Sequence, residues 1–199
     1  MTKPPWIGGL LAGGASRRMG RTKAGLPMPD GRNLATPAAE ALAALCGEVY
    51  ILGHGAGTEG LPFPRLDDPT PGQGPLGGLM GLLSHRPNRR YLILPCDLPA
   101  VRQAALAPLL EGLGQGLACA YRLPSGRWMS LPLALSYQAA DLLEDHLRQG
   151  RLALKHLLDA LPAKGLAADE ALLAELKGLN TRKEWEATLG AFPQANGEG

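Results

Sequence analysis

Aromatic side chains are scarce in this 199-residue chain: two Phe, three Trp and four Tyr make up 5% of it. Aliphatic residues and alanine must therefore fill the interior, and the 45% hydrophobic content supplies them. Cysteine is scarcer still. Cys46, Cys96 and Cys119 are odd in number, far apart and without C-x-x-C spacing. That argues against a disulfide framework or a zinc site and fits a reducing, cytoplasmic setting. Neither sign of charge is in excess: twenty Lys and Arg against eighteen Asp and Glu leave a net charge of +2. This is too little to imply a nucleic-acid or membrane surface. No apolar run approaches the roughly eighteen residues of a membrane span. Neither nucleic acid nor membrane is expected as a partner.

Glycine and proline, by contrast, are abundant, at 27 and 18 residues. They gather between apolar segments and read as loop chemistry. The most informative junction spans Leu11 to Lys23, where the apolar run from Trp6 to Ala12 enters a loop rich in glycine and cations. Gly13, Gly14 and Gly20 put no Cβ in the way, so backbone N–H groups can close on a polyphosphate. Arg17, Arg18, Arg21 and Lys23 add positive charge at the same place. The stretch predicts a nucleoside triphosphate site at the first strand-to-loop junction, although a Gly-Gly turn after a first strand is also common. Lys3 ahead of weakly apolar residues imitates a secretory signal, but four glycines before residue 15 and the cationic cluster break its core.

Apolar runs alternate with helical patterns, which predicts an α/β fold with a mostly parallel sheet. Strands are expected at Trp6 to Ala12, Val49 to Leu52, Tyr91 to Leu94, Leu117 to Tyr121 and Met129 to Leu135. Pro132 assigns the last to an edge or a bulge. Helices are expected from Thr36 as N-cap, with Pro37 first in the helix, to Cys46; then at Pro75 to His85, Val101 to Leu113, Tyr137 to Arg148, Leu152 to Leu161 and Ala168 to Lys177. His54 to Pro64 reads as a loop, and Thr181 with Glu184 as a capping box. One domain over residues 1–191 accounts for the chain, with 192–199 as a frayed tail.

In open parallel sheets ligands sit beyond the carboxyl ends of the strands. Two such ends carry chemistry here: the opening loop, and Pro95-Cys96-Asp97-Leu98-Pro99 after the Tyr91 strand. A carboxylate beside a cationic phosphate loop makes sense with Mg²⁺, which takes one or two carboxylates plus phosphate oxygens. Asp97 reads as that ligand, or alternatively as a helix N-cap ahead of Val101. Asp67 and Asp68 precede Gly72 to Gly78. This segment reads either as a turn or as a place where an aspartate accepts hydrogen bonds from a base or ribose. Arg122, Arg127 and Trp128 around Pro124-Ser125-Gly126, and Arg151 after Gly150, combine cations with an aromatic ring. They can hold a phosphorylated heterocycle or form a solvated loop.

These segments together resemble a known family. Leu11-Ala12-Gly13-Gly14, Ser16, Arg18-Met19-Gly20 and Lys23 resemble the signature L-x-G-G-x-S-x-R-M-G-x-x-K. It opens the nucleotidyltransferases with a three-layer α/β/α, Rossmann-like, glycosyltransferase-A-like fold. Gly74-Pro75-Leu76-Gly77-Gly78 resembles the family's G-P-L-x-G segment, and Pro95 to Pro99 its P-C-D-x-P metal loop. Leu179-Asn180-Thr181 resembles its N-T-P stop, with Arg182 in place of the proline. The resemblance spans about Ile7 to Leu189. The Gly13-Gly14 pair directs it to the molybdenum cofactor guanylyltransferases, where cytidylyl-transferring relatives tend to have Ala-Gly.

The resemblance implies transfer of GMP from GTP to molybdopterin or its molybdenum form, with release of pyrophosphate. It implies Mg²⁺ as cofactor, with Mn²⁺ able to substitute, and other molybdenum cofactor proteins as partners. By position, Leu11, Ala12, Gly13 and Gly14 would bind the nucleotide, Lys23 and Arg18 would meet phosphate, and Asp68 would bind the nucleoside. Asp97 would take the metal. Arg122, Arg127, Trp128, Arg151 and Asn180 are the acceptor-side candidates. The family asparagine after the second strand is missing from Leu52-Gly53-His54, where His54 either substitutes or is an exposed loop residue. A related small-molecule nucleotidyltransferase with a different nucleotide or acceptor, such as one that transfers cytidylyl to molybdopterin, and a non-catalytic nucleotide-binding adaptor are the competing readings. A dehydrogenase fits less well, because the opening lacks G-x-G-x-x-G and Glu40 is the only ribose acid at suitable distance.

Overall fold

The computed structural model describes residues 5–12, 23–53, 57–70 and 72–191. Among the described residues seven strands form one sheet: β1 (Trp6–Leu11), β2 (Glu48–Leu52), β3 (Arg65–Leu66), β4 (Arg90–Pro95), β5 (Ala118–Arg122), β6 (Trp128–Ser136) and β7 (Ala163–Ala167). Their spatial order is β3-β2-β1-β4-β6-β5-β7. Strands β1 to β4 are mutually parallel, β6 runs antiparallel to both β4 and β5, and β7 lies parallel to β5. The chain steps from β1 outward to β2 and β3, then returns to place β4 on the other side of β1. That reversal puts the topological switch point between β1 and β4.

The α-helices are α1 (Thr36–Leu45), α2 (Gly74–His85), α3 (Gln103–Leu113), α4 (Ala140–Arg148), α5 (Leu154–Ala160), α6 (Glu170–Glu175) and α7 (Arg182–Ala191). One buried cluster joins α1 and α3 to Leu10, Ile51, Leu92 and Leu94. The other joins α2, α4 and α5 to Ile7, Leu52, Tyr91 and Ile93. Successive residues of a strand thus feed opposite cores, and the central strands read as continuous apolar runs because both faces are covered. Three layers, α/β/α, result. At Gly9 a Cβ would stand 2.8 Å from Ile93 Cδ1, 2.9 Å from Leu82 Cδ2 and 3.0 Å from Leu52 Cδ1. The absent side chain is what allows α2 to press on β1.

Several expectations need correction. Thr36 is the first helical residue, the cap position falls on Ala35, and no side chain caps it. Helix α3 begins at Gln103 with Arg102 at its cap, so Asp97 does not serve as the N-cap of this helix. Strand β6 is interior rather than an edge. Pro132 is accommodated at a register shift, where pairing passes from Ala120↔Leu133 to Tyr121↔Met129. That position needs no ladder N–H. The start of the expected helix at Tyr137 is a 3₁₀ turn over Tyr137–Ala139. The two later helices shorten to Leu154–Ala160 and Glu170–Glu175. Strands β3 and β7 have no counterpart among the expected strands. The expected tail at 192–199 and the roles expected of Gly13, Gly14, Arg18 and His54 fall on positions outside the described residues. Among the described residues no helix is long and apolar enough to cross a membrane.

Candidate active site

The carboxyl ends of β2, β1 and β4 are level: Leu11 pairs with Leu52 on one side and Pro95 on the other. Two bonds seal this rim. The Ala12 N–H donates to Leu52 O at 3.0 Å, and the Cys96 N–H donates to Leu11 O at 3.2 Å. The chain leaves β1 beside the loop that follows β4 and re-enters the described structure at Lys23, in a 3₁₀ turn over Lys23–Gly25. Lys23 Nζ donates to Asp97 Oδ2 at 3.0 Å and to Asn180 Oδ1 at 2.9 Å. Their side chains are largely shielded, 20% exposed for Lys23 and 15% for Asp97. Three segments that the sequence singled out thus meet at the switch point.

Asn180 is held in turn. Its Nδ2 donates to Gly178 O at 3.3 Å, and its backbone N–H donates to Glu184 Oε2 at 2.8 Å. Glu184 also accepts from the Thr181 N–H at 2.9 Å, while its own N–H donates to Thr181 Oγ1 at 3.1 Å. That is the expected capping box. The Asn180 and Thr181 N–H bonds hold the Glu184 carboxyl below its ordinary value of 4.5. Leu179 packs with Leu26, Met28 and Leu34, and Trp185 Nε1 donates to Pro27 O at 3.1 Å. The C-terminal segment therefore docks on the segment that begins at Lys23.

Asp97 has two further neighbours that its sequence motif does not reveal. Its carbonyl accepts from the Leu179 N–H at 3.0 Å. A Cβ at Gly178 would stand 3.2 Å from Asp97 Oδ1. At Cys96, which precedes Asp97, burial first and then the neighbouring Asp97 charge push the thiol up to about 12.

A second convergence lies beside β1. A Cβ at Gly78 of α2 would meet Asp68 Oδ1 at 3.3 Å, Leu52 Cβ at 3.3 Å and Leu11 Cδ2 at 3.4 Å. Asp68, Leu11 and the glycine-rich start of α2 are thus close-packed, whereas Ala12, next after Leu11, is buried in the cluster on the opposite face of the sheet. Gly53, at φ 86°, donates its N–H to Leu66 O at 2.9 Å. That bond pins the end of β2, where the resemblance leads to an asparagine.

Of the acceptor-side candidates, Arg122, Arg127 and Trp128 lie at the same edge of the sheet, and Asn180 is the one that bonds Lys23. Pairing of β4 with β6 ends at Ile93↔Leu133, whereas β5 and β6 continue to Arg122↔Trp128. Counted through β6, Arg122 stands level with Pro95 at the end of β4, and the turn over residues 123–127 continues past that rim. The Arg122 guanidinium carbon lies 3.6 Å from the centroid of the Trp128 ring, and Nη1 donates to Gly126 O at 2.6 Å. Arg127 is exposed in the hairpin turn, where its carbonyl accepts from the Leu123 N–H at 2.9 Å. Arg151 is exposed in the turn between α4 and α5. Helix α4 follows Ser136 and α5 precedes Ala163, both at the opposite edge of the sheet.

A doubly covered, mostly parallel sheet with a lysine and an aspartate joined at its switch point defines the class: an α/β nucleotidyltransferase fold. The solved structure of molybdopterin-guanine dinucleotide biosynthesis protein A from Archaeoglobus fulgidus superposes with a TM-score of 0.76 at 18% identity, covering 93% of this chain and 97% of that one. At that identity the likeness is one of fold. A family model described as a MobA-like NTP transferase domain matches residues 8–165, and the chain belongs to that family. It is 28% identical to a molybdenum cofactor guanylyltransferase of Xanthomonas euvesicatoria over 95% of this chain and 97% of the relative. It is 30% identical to one of Pseudomonas paraeruginosa over 87% and 90%.

Proposed function

We propose that this protein is a cytoplasmic molybdenum cofactor guanylyltransferase, joining GMP from GTP to molybdopterin or its molybdenum form. A terminal phosphate oxygen of the acceptor attacks the α-phosphorus of GTP. A new P–O–P linkage forms, the bond from the α-phosphorus to its bridging oxygen breaks, and pyrophosphate departs with that electron pair. The nucleophile is already ionised at neutral pH, so no general base is needed. The task left to the protein is to bring two anions together.

The observation that carries this reading is the Lys23–Asp97–Asn180 constellation at the switch point, in a chain of this family. Lys23, with Arg18, supplies positive charge to the phosphates. Leu11, Ala12, Gly13 and Gly14 lie against the nucleotide, and Asp68 accepts hydrogen bonds from its nucleoside part. Arg122, Arg127, Trp128, Arg151 and Asn180 receive the acceptor. Other molybdenum cofactor proteins are the expected donors and recipients.

Asp97 fits a divalent metal of a particular kind. Among the described residues no three His, Cys, Asp or Glu side chains gather as a ready-made metal site. Asp97 itself is shared with an ammonium group. A hard cation such as Mg²⁺ or Mn²⁺ accepts one carboxylate when phosphate and water supply its other oxygens. Asp97 would hold such an ion together with the triphosphate, and the ion would supply charge neutralisation at the leaving pyrophosphate.

Thermal shift with Mg²⁺ and GTP or CTP, followed by pyrophosphate release on adding molybdopterin, tests the reading. GTP preference with pyrophosphate release is expected. A CTP preference would establish the cytidylyl alternative, and GTP binding without release given a competent acceptor would establish an adaptor.

A further inference from the structure

The loop carrying Asp97 runs from the end of β4 to the start of α3 and is clamped from a distant part of the chain. Its near end is held by the Cys96 N–H bond to Leu11 O. At its far end Arg102 occupies the cap position of α3 but offers no side-chain cap. Glu175, the last residue of α6, instead binds Arg102 itself. Its Oε1 accepts the Arg102 backbone N–H at 2.8 Å, and its Oε2 accepts from Arg102 Nη2 at 2.7 Å.

Exposure separates these two bonds. The Glu175 side chain is 12% exposed, whereas that of Arg102 is 76% exposed. A solvated guanidinium adds little to an ion pair. A shielded carboxylate at a helix start satisfies an orphan amide and faces the positive end of the helix dipole. The main-chain bond is therefore the anchor. Packing continues it: Leu98 and Val101 of the loop are buried in one cluster with Leu176, next after Glu175. Further on, Gly178 lies against the Asp97 carboxylate and the Leu179 N–H bonds to the Asp97 carbonyl. Residues 175–180 thus grip the loop at both ends.

We propose that Glu175 is a positioning residue, which fixes the Asp97 loop through the Arg102 amide and thereby sets affinity for the metal–nucleotide complex. This rests on the nucleotidyl-transfer reading. The test titrates Mn²⁺ with GTP into the full chain by electron paramagnetic resonance, alongside steady-state kinetics and thermal melting. Glu175→Ala should weaken Mn²⁺·GTP binding about tenfold and raise the metal concentration needed for half-maximal rate, with kcat restored at saturating Mn²⁺. Glu175→Gln keeps an acceptor for the amide and should recover most of the loss. Arg102→Ala keeps the amide and should stay within about twofold of wild type. If Glu175→Ala does not fold, Glu175→Asp, one methylene short of the amide, carries the same expectation. Wild-type Mn²⁺·GTP affinity in a folded Glu175 variant with a lowered melting temperature would reduce the residue to a structural role. Equal losses in Arg102→Ala and Glu175→Ala would overturn the main-chain anchor. No Mn²⁺·GTP binding by the wild type would sink the nucleotidyl-transfer reading and this inference with it, whereas indifferent variants beside a binding wild type sink this inference alone.

Discussion

Lys23 Nζ lies 3.0 Å from Asp97 Oδ2, joining residues 74 positions apart in the chain. Both side chains are largely shielded from solvent, where charges attract more strongly than in bulk water. The lysine neutralises the carboxylate that the proposed metal would use. Phosphate oxygens arriving with a nucleotide give the ammonium a competing partner.

Mn²⁺ alone is therefore expected to bind weakly and Mn²⁺ with GTP tightly. Lys23→Met should strengthen binding of the metal alone, because it frees the carboxylate, while slowing transfer about 10²- to 10³-fold. Metal titration without nucleotide, paired with pyrophosphate release, measures both. Tight metal binding by the unmodified protein without nucleotide would contradict the pairing argument.

Gly178→Ala places a Cβ 3.2 Å from Asp97 Oδ1 and 3.4 Å from its Cγ and Oδ2. The carboxylate must yield by a few tenths of an ångström. Transfer should fall about tenfold with little change in melting temperature. Unchanged kcat/KM would show that the site tolerates the displacement.

Gly9→Ala tests packing rather than chemistry. Its Cβ would meet Ile93, Leu82 and Leu52 side chains at 2.8 to 3.0 Å. Overpacking of this kind costs about 1–3 kcal/mol. Urea unfolding should show a lower midpoint with an unchanged slope.

Glu184 supplies a pH dependence. Its carboxyl titrates below 4.5 because the Asn180 and Thr181 N–H groups bond the ionised form. Protonation then favours the unfolded chain, so this contribution is present above pH 4.5 and is lost as the pH falls through the lowered value. The melting-temperature gap between wild type and Glu184→Gln should be open at pH 7 and close toward pH 3. A gap that persists at pH 3 would mean that the charge is immaterial.

Much of this molecule is legible without coordinates. Tyr91-Leu92-Ile93-Leu94 reads as a doubly covered strand because four apolar residues in a row can be buried only with helices on both faces. Thr181 and Glu184 announce a capping box because both partners lie within one turn. Motif spacing alone puts Lys23 and Asp97 at strand ends. Strand β7 escapes such a reading. Ala163-Lys164-Gly165-Leu166-Ala167 has no apolar run, and it is a strand because β5 offers it an edge. Strand β3 is two residues paired to Ile51 and Leu52.

The sequence by itself determined the local terms: alternation of strand and helix, burial of the central strands, the glycine-rich opening and the residue types available for phosphate chemistry. Each depends on neighbours a few positions apart. Only the tertiary structure decided that Asp97 is no helix cap, that Asn180 shares Lys23 with it, and that Glu175 closes on the Arg102 amide 73 residues away. Hydrogen bonds and close packing act over a few ångströms of space, so which distant residues satisfy one another is settled when the sheet brings its strand ends together.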